Sequence, residues 1–146
     1  MFFSCTLKDG IVYVPSMAKT EAGFHMRQEP VAVVPAANTE ALRRALQDVM
    51  DQGNAIIPTP KRNAYPPPIL PKYAGVRSWS AFMRGASEWS IIEKESCYRI
   101  LPYRKDPDGG PGWVPDRKGQ IDFPSGTKRD DVINRMIAIV QDTAQR

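Results

Sequence analysis

Histidine and cysteine are almost missing from this chain, which holds His25, Cys5 and Cys97 and no others among 146 residues. With one histidine and no CxxC pair, a zinc site has hardly any ligands to draw on. A lone histidine in a strand-like stretch, with no GxSxG elbow, does not assemble a nucleophile and its base. Two widely separated cysteines are expected to be reduced and buried rather than bridged. Long apolar runs are absent too, so no segment reads as a transmembrane helix. The opening MFFSCTLKDG has no basic leader and reaches Lys8 and Asp9 too early for a signal peptide, so cytoplasmic residence is expected, without a membrane partner. Finally, there is no dense basic tract. The 20 Lys+Arg against 16 Asp+Glu leave a formal +4, and the basic residues fall in scattered pairs: Lys61-Arg62, Arg104-Lys105, Arg117-Lys118 and Lys128-Arg129. That is not the footprint of a nucleic-acid arm.

The patterning that is present describes an α+β protein. The length suits a single globular domain spanning 1–146. FFSCTLK and IVYV read as strands joined by the hairpin dipeptide Asp9-Gly10. GFHMR, leading through Glu29-Pro30 into VAVV, suggests a second strand pair that Pro35 stops. Asn38-Thr39 caps a helix over about 39–52, with Leu42, Ala45, Leu46, Val49 and Met50 on one face. Pro58, Pro60, Pro66, Pro67, Pro68 and Pro71 then crowd residues 55–71, which read as an extended, polyproline-like connection. Ser78 caps a short helix near 78–84, placing Trp79, Phe82 and Met83 together. EWSIIEKE, CYRILPYR and KGQIDF follow as strands, with DPDGGPG as a strong turn. Thr127 with Asp130 approximates a capping box for a last helix over about 128–144, whose stripe is Val132, Ile133, Met136, Ile137 and Val140. The expected fold is therefore one or more antiparallel sheets packed against two main helices.

Candidate chemistry is thin. Asp106, Asp108 and Gly109-Gly110 resemble part of a calcium loop, but the closing glutamate is missing. GxxxxGK[ST] is absent, so the glycines make no phosphate loop. Paired carboxylates such as Asp130-Asp131 and Glu93-Glu95 suit helix starts and exposed strands. Tyr98, Arg99, Tyr103, Arg104, Lys105 and Trp113 interleave aromatic and basic groups as a single-strand binder does. Strand alternation, however, sends Tyr98, Ile100 and Pro102 to one face and Arg99, Leu101 and Tyr103 to the other. A structural sheet is the simpler reading. No enzyme activity, metal or cofactor is expected.

What remains is protein recognition, since Trp, Tyr and Arg dominate interface centres. Trp89, beside Ser90-Ile91-Ile92, reads as core. Arg77, Trp79, Tyr103, Arg104, Trp113 and Asp116 are the candidate partner contacts. KYAGVRSWSAFMRGASEWSI (72–91), followed by YRILPYRKDPDG, GWVPD, IDFPSGT and DDVINRMI, resembles small bacterial immunity proteins. These accompany toxins of contact-dependent growth inhibition and related polymorphic toxin systems. The resemblance runs from IVYVPSMAKTEAGF through the final helix. It implies a non-enzymatic inhibitor that binds a cognate toxin's C-terminal domain, often a nuclease, as a one-to-one complex. Many inhibitors of basic nucleases are acidic, whereas this chain is basic. Either the toxin offers an acidic face, or local acidic groups such as Asp106, Asp108 and Asp116 outweigh net charge. Were the toxin to cleave RNA, Arg104 or Arg117 could fill a phosphate subsite. The alternative function is a nucleic-acid-binding accessory domain.

Overall fold

The computed structural model describes residues 1–95, 97–110 and 112–146. It has the expected α+β architecture: a largely antiparallel sheet with its long helices on one face. The strands are β1 (Phe2–Lys8), β2 (Ile11–Thr20), β3 (His25–Pro35), β4 (Ala55–Ile57), β5 (Ser87–Lys94), β6 (Cys97–Lys105), β7 (Trp113–Pro115) and β8 (Ile121–Asp122). The helices are α1 (Thr39–Gln52), α2 (Leu70–Tyr73), α3 (Trp79–Met83) and α4 (Arg129–Ala144). Sheet order is β3-β2-β1-β5-β6-β7, with β4 added to β2 and β8 to β6.

The Asp9-Gly10 hairpin forms as the sequence suggests. Both residues hold positive φ, 51° and 77°, the conformation a two-residue turn needs to match strand twist. The neighbouring stretch differs from expectation. GFHMR and VAVV are one strand, β3, rather than a second pair, because both flank the same neighbour, β2. Pro15 opposes Val31 while Ser16 opposes Gln28, so Glu29 and Pro30 bulge out of the ladder. A proline without an N–H is tolerated at such a bulge.

One face of the sheet carries the main core. Phe3, Cys5 and Leu7 of β1, Val12 and Val14 of β2, Trp89 and Ile91 of β5 and Ile100 of β6 meet the apolar stripes of α1 and α4. Asn38 Oδ1 accepts the Ala41 N–H at 3.1 Å, capping α1. Gln141 of α4 donates to the Ala36 carbonyl and to Thr39 Oγ1, at 3.0 and 2.8 Å, locking the two helices at one end.

Strand alternation turns the other residues of β1 and β5 to the opposite face, and these are polar: Ser4, Thr6, Lys8, Glu88 and Ser90. All are buried, because residues 58–86 cross over this face and bring α2 and α3 onto it. Tyr13, Leu70 and Phe82 form a small apolar cluster there. The carboxylate of Glu88 lies beneath it and receives hydrogen bonds from Ser4 Oγ and Thr6 Oγ1, both at 3.3 Å, and an ion pair from Arg27 of β3. Lys8 Nζ reaches across to the carbonyls of Ala81 and Arg84, at 3.2 and 2.5 Å, placing a cation at the C-terminal end of α3.

Four details depart from the sequence reading. The proline-rich stretch begins with β4, a three-residue strand parallel to β2, and ends in α2, with Pro71 in the first turn where its missing N–H costs nothing. KGQIDF is not strand throughout: Lys118 and Gly119 belong to a 3-10 turn, Arg117–Gly119, and only Ile121–Asp122 is strand. Thr127 does not cap α4; its hydroxyl donates to the Pro124 carbonyl at 2.6 Å, and the helix starts after Lys128 without a side-chain cap. Cys97 is exposed rather than buried, because it opens β6 at the sheet rim.

Two predictions follow from this packing. Breaking a buried pair strands the remaining charge, so Glu88→Ala is expected to lower the unfolding free energy by about 3 kcal/mol or more. Urea unfolding at unchanged slope measures this, and a loss below about 1 kcal/mol would mean the network carries no more than an ordinary hydrogen bond. Burial pushes the Cys5 thiol up to about 12, with Glu88 adding to the effect. In the native protein a thiol reagent at pH 8 should therefore modify Cys97 quickly and reach Cys5 only on unfolding.

Candidate partner-binding surface

All the candidate contacts but Arg77 divide between two adjoining places, and the division follows from β6 and β7. These strands pair Tyr103 with Pro115, Arg104 with Val114 and Lys105 with Trp113. Side chains paired across a ladder share a face, so Tyr103 and Trp113 project together over the polar side of the sheet. Arg104 projects with Val114 on the other side. Trp113, which directly follows the DPDGGPG turn, is thus held in a strand.

The first place is an aromatic cluster. Ser78 Oγ accepts the Ala81 N–H at 3.1 Å and starts α3, which aims Trp79 along the sheet. Trp79 stacks on Phe82 with ring centres 5.5 Å apart and meets Trp113 edge-on at 5.4 Å. The Arg27 guanidinium sits 5.4 Å from the centre of the Trp79 ring, within cation–π range. Tyr103 stands beside them, its hydroxyl receiving a hydrogen bond from Ser90 Oγ at 2.9 Å. Burial pushes the Tyr103 phenol above its ordinary value, only partly opposed by that hydrogen bond. Trp79 and Trp113 are half-buried, so each gives part of its ring to the fold and part to solvent.

Beyond Trp79 a groove of about 260 Å³ runs between β3 and the prolines, lined by His25, Met26, Arg27, Pro66, Pro67, Pro68, Ile69 and Trp79. His25 stacks on Phe2 at 4.8 Å. Burial, then the charges of Lys19 and the N-terminal amine, hold the imidazole below its usual pKa. At the end of this wall Glu29 joins Lys72 at 2.7 Å and accepts the Tyr73 hydroxyl, tying α2 to β3.

The second place is a wider groove of about 670 Å³ lined by Arg104, Pro115, Asp116, Arg117 and Lys118. The Asp116 N–H donates to the Pro102 carbonyl at 2.8 Å, which fixes the 3-10 turn carrying Arg117 and Lys118 against β6. Arg104 and Asp116 therefore share a site. Trp79, Tyr103 and Trp113 share another, next to it. Arg77 joins neither: it is exposed in the link between α2 and α3, outside both grooves.

Two contributors escaped the sequence reading, Arg27 and Glu88, whereas the Arg117-Lys118 pair was legible and only its place beside Arg104 was not. The period-two run Ser4, Thr6, Lys8 against Phe3, Cys5, Leu7 did signal a polar second face on β1. That β3 would reach it with an arginine required knowing the strand order. Among the described residues no group of three or more His, Cys, Asp and Glu side chains is placed to hold a metal ion. No helix of the structure is long and apolar enough to cross a membrane.

No protein-family model and no curated protein matches the sequence. Solved structures do match in fold. A protein of unknown function from Neisseria meningitidis superposes with a TM-score of 0.64 and 9% identity, over 98% of this chain and 92% of that one. A chain of a CdiA-CT/CdiI toxin and immunity complex from Yersinia pseudotuberculosis superposes with a TM-score of 0.63 and 11% identity, over 96% of this chain and 95% of that one.

The position of His25 gives a pH prediction. Its unfolded pKa is about 6.5, and the folded value lies below that, so the unfolded state binds the proton first as pH falls. Stability attributable to His25 is complete above the unfolded value and declines as pH drops toward the folded one. Nuclear magnetic resonance titration of the ring should give a midpoint below about 6.5, and His25→Phe should flatten the loss of stability across that window.

Proposed function

We propose that this chain is an immunity protein, which binds the C-terminal toxin domain of a cognate contact-dependent inhibition system one-to-one and neutralises it. The observation that carries this reading is the likeness of fold, over nearly the full length of both chains, to a chain of a toxin and immunity complex. The resemblance in residues 72–91 and in the segments after them points the same way. Cytoplasmic residence of a single domain fits the role, since the toxin must be met where it acts. The toxin domain is, on this reading, a nuclease.

The contact surface is Arg77, Trp79, Tyr103, Arg104, Trp113 and Asp116. Half-exposed indoles held by internal stacking lose little freedom when a partner covers them, which is the property of an interface anchor. Of the two tryptophans, Trp113 is the cleaner test. Trp79 also covers Arg27 and Phe82, so removing it disturbs the fold.

On this reading a large secreted protein is encoded beside this chain; cells expressing its C-terminal domain should stop growing, and co-expression of this chain should restore growth with co-purification of a one-to-one complex. Trp113→Ala should then weaken binding by about 2 kcal/mol, roughly 30-fold in Kd, without changing the thermal midpoint by more than a few degrees. Toxicity unaffected by this chain would defeat the reading. Nucleic acid retained on purification and released by salt would favour the accessory-domain alternative.

A further inference from the structure

The groove of Arg104, Arg117 and Lys118 gathers three cations around one carboxylate, Asp116. Several cations of the chain are matched: Arg27 with Glu88, Arg43 with Glu40, Lys72 with Glu29, Arg99 with Asp122, Arg129 with Asp51, and Arg146 with Asp142. Among the described residues, Arg104, Arg117 and Lys118 have no carboxylate within 4.0 Å, although Asp116 lines the same groove. These three exposed cations are held on a short ladder and a turn anchored by the Asp116–Pro102 hydrogen bond. Their spacing is thus preset by the backbone, and little ordering remains to be done when an anion arrives.

Two classes of partner carry negative charge, and the surroundings choose between them. A single-stranded nucleic acid would draw much of its affinity from rings on which to stack bases. Trp113 is engaged edge-on by Trp79, the Tyr103 hydroxyl is bonded to Ser90, and neither ring lines this groove. Asp116, in the midst of the cations, would repel a phosphate backbone at its closest approach. A protein surface has no such difficulty, since it can set carboxylates against the three cations and a single cation against Asp116.

We infer that this groove is the electrostatic recognition site for an acidic protein face, one presenting several carboxylates around one basic residue. The inference deepens the immunity reading, and rests on it for the identity of the partner: the toxin domain would meet this basic inhibitor with an acidic surface. It inverts the charge arrangement of acidic inhibitors and basic nucleases. The aromatic cluster alongside supplies buried area, while the groove sets which toxin is accepted and how fast it associates.

The test has two arms. In the first, the toxin domain is titrated with wild-type protein, with R104E/R117E/K118E, and with the control R44E/K94E/R135E, which changes net charge equally on exposed positions elsewhere. The groove variant should bind about 100-fold more weakly and lose the salt dependence of association, while the control stays within a few-fold. Both variants should keep the wild-type melting temperature, because every substituted residue is exposed. Equal affinity of the groove variant and wild type would overturn the inference and leave immunity intact.

The second arm needs no toxin. Amide resonances of the wild-type protein are followed during titration with a glutamate-rich peptide bearing one central lysine, and separately with oligo(dT). Shifts at Arg104, Asp116, Arg117 and Lys118 that are stronger with the peptide support the inference. Stronger binding of oligo(dT), or no peptide shift at these positions, overturns it. If the toxin domain fails to bind wild-type protein, the immunity reading falls while the peptide arm still decides the groove.

Discussion

A carboxylate shut away from water must be surrounded by donors, and Glu88 shows what that demand does to the rest of this protein. Its side chain is buried on the polar face of the sheet, and its partners come from β1 and β3: Ser4, Thr6 and Arg27. With β5 supplying the carboxylate, three strands are joined through one group. Arg27 in turn lies against the ring of Trp79, and Trp79 against Trp113 on β7. A charge pair is a poor source of net stability compared with apolar packing, but it tolerates few alternative arrangements. Here it holds Arg27 against Trp79 of α3, in the aromatic surface proposed to meet a partner.

The two faces of the sheet therefore do different work. The helix face is an ordinary core of interdigitating aliphatic side chains from β1, β2, β5, α1 and α4. The opposite face is polar below and aromatic above, and is covered by a proline-rich crossing with only two short helices. Proline shortens the list of conformations such a crossing can adopt in the unfolded chain, so less order has to be created when it settles. Lys8 at the end of α3 and Glu29 beside Lys72 and Tyr73 fasten it at two points.

Much of this was legible in the residues, though unevenly. Asn38 and the stripe from Leu42 to Met50 specify α1 almost to its ends, because cap and periodicity agree. Ser78 and Trp89 also lie where local pattern puts them. Local grammar fails where distant chain decides. Val31–Pro35 becomes part of β3 because β2 is long enough to pair on both sides of the bulge. Thr127 gives its hydroxyl to Pro124 instead of capping, and Cys97, the first residue of β6, faces solvent. For the candidate site, residue type picked out Trp79, Tyr103, Trp113, Arg104 and Asp116. It could not show that the first three form one cluster and the last two another, nor that Arg77 stands apart. Those groupings depend on ladder register and on which strand follows β1 across the sheet.

That strand order bears on how the chain is made. β1 is paired on one side by its immediate successor, β2, and on the other by β5, with Phe3 opposite Ile91. During synthesis the first of these edges can close as soon as the hairpin leaves the ribosome. The second stays open until well over half the chain has been translated. Throughout that interval an edge with an apolar face is exposed, the situation in which nascent strands pair with wrong neighbours. Ser4, Thr6 and Lys8 lie on the reverse of that strand. Their polarity keeps one side of the waiting edge wetted, so a network that fixes the finished structure also guards the unfinished one.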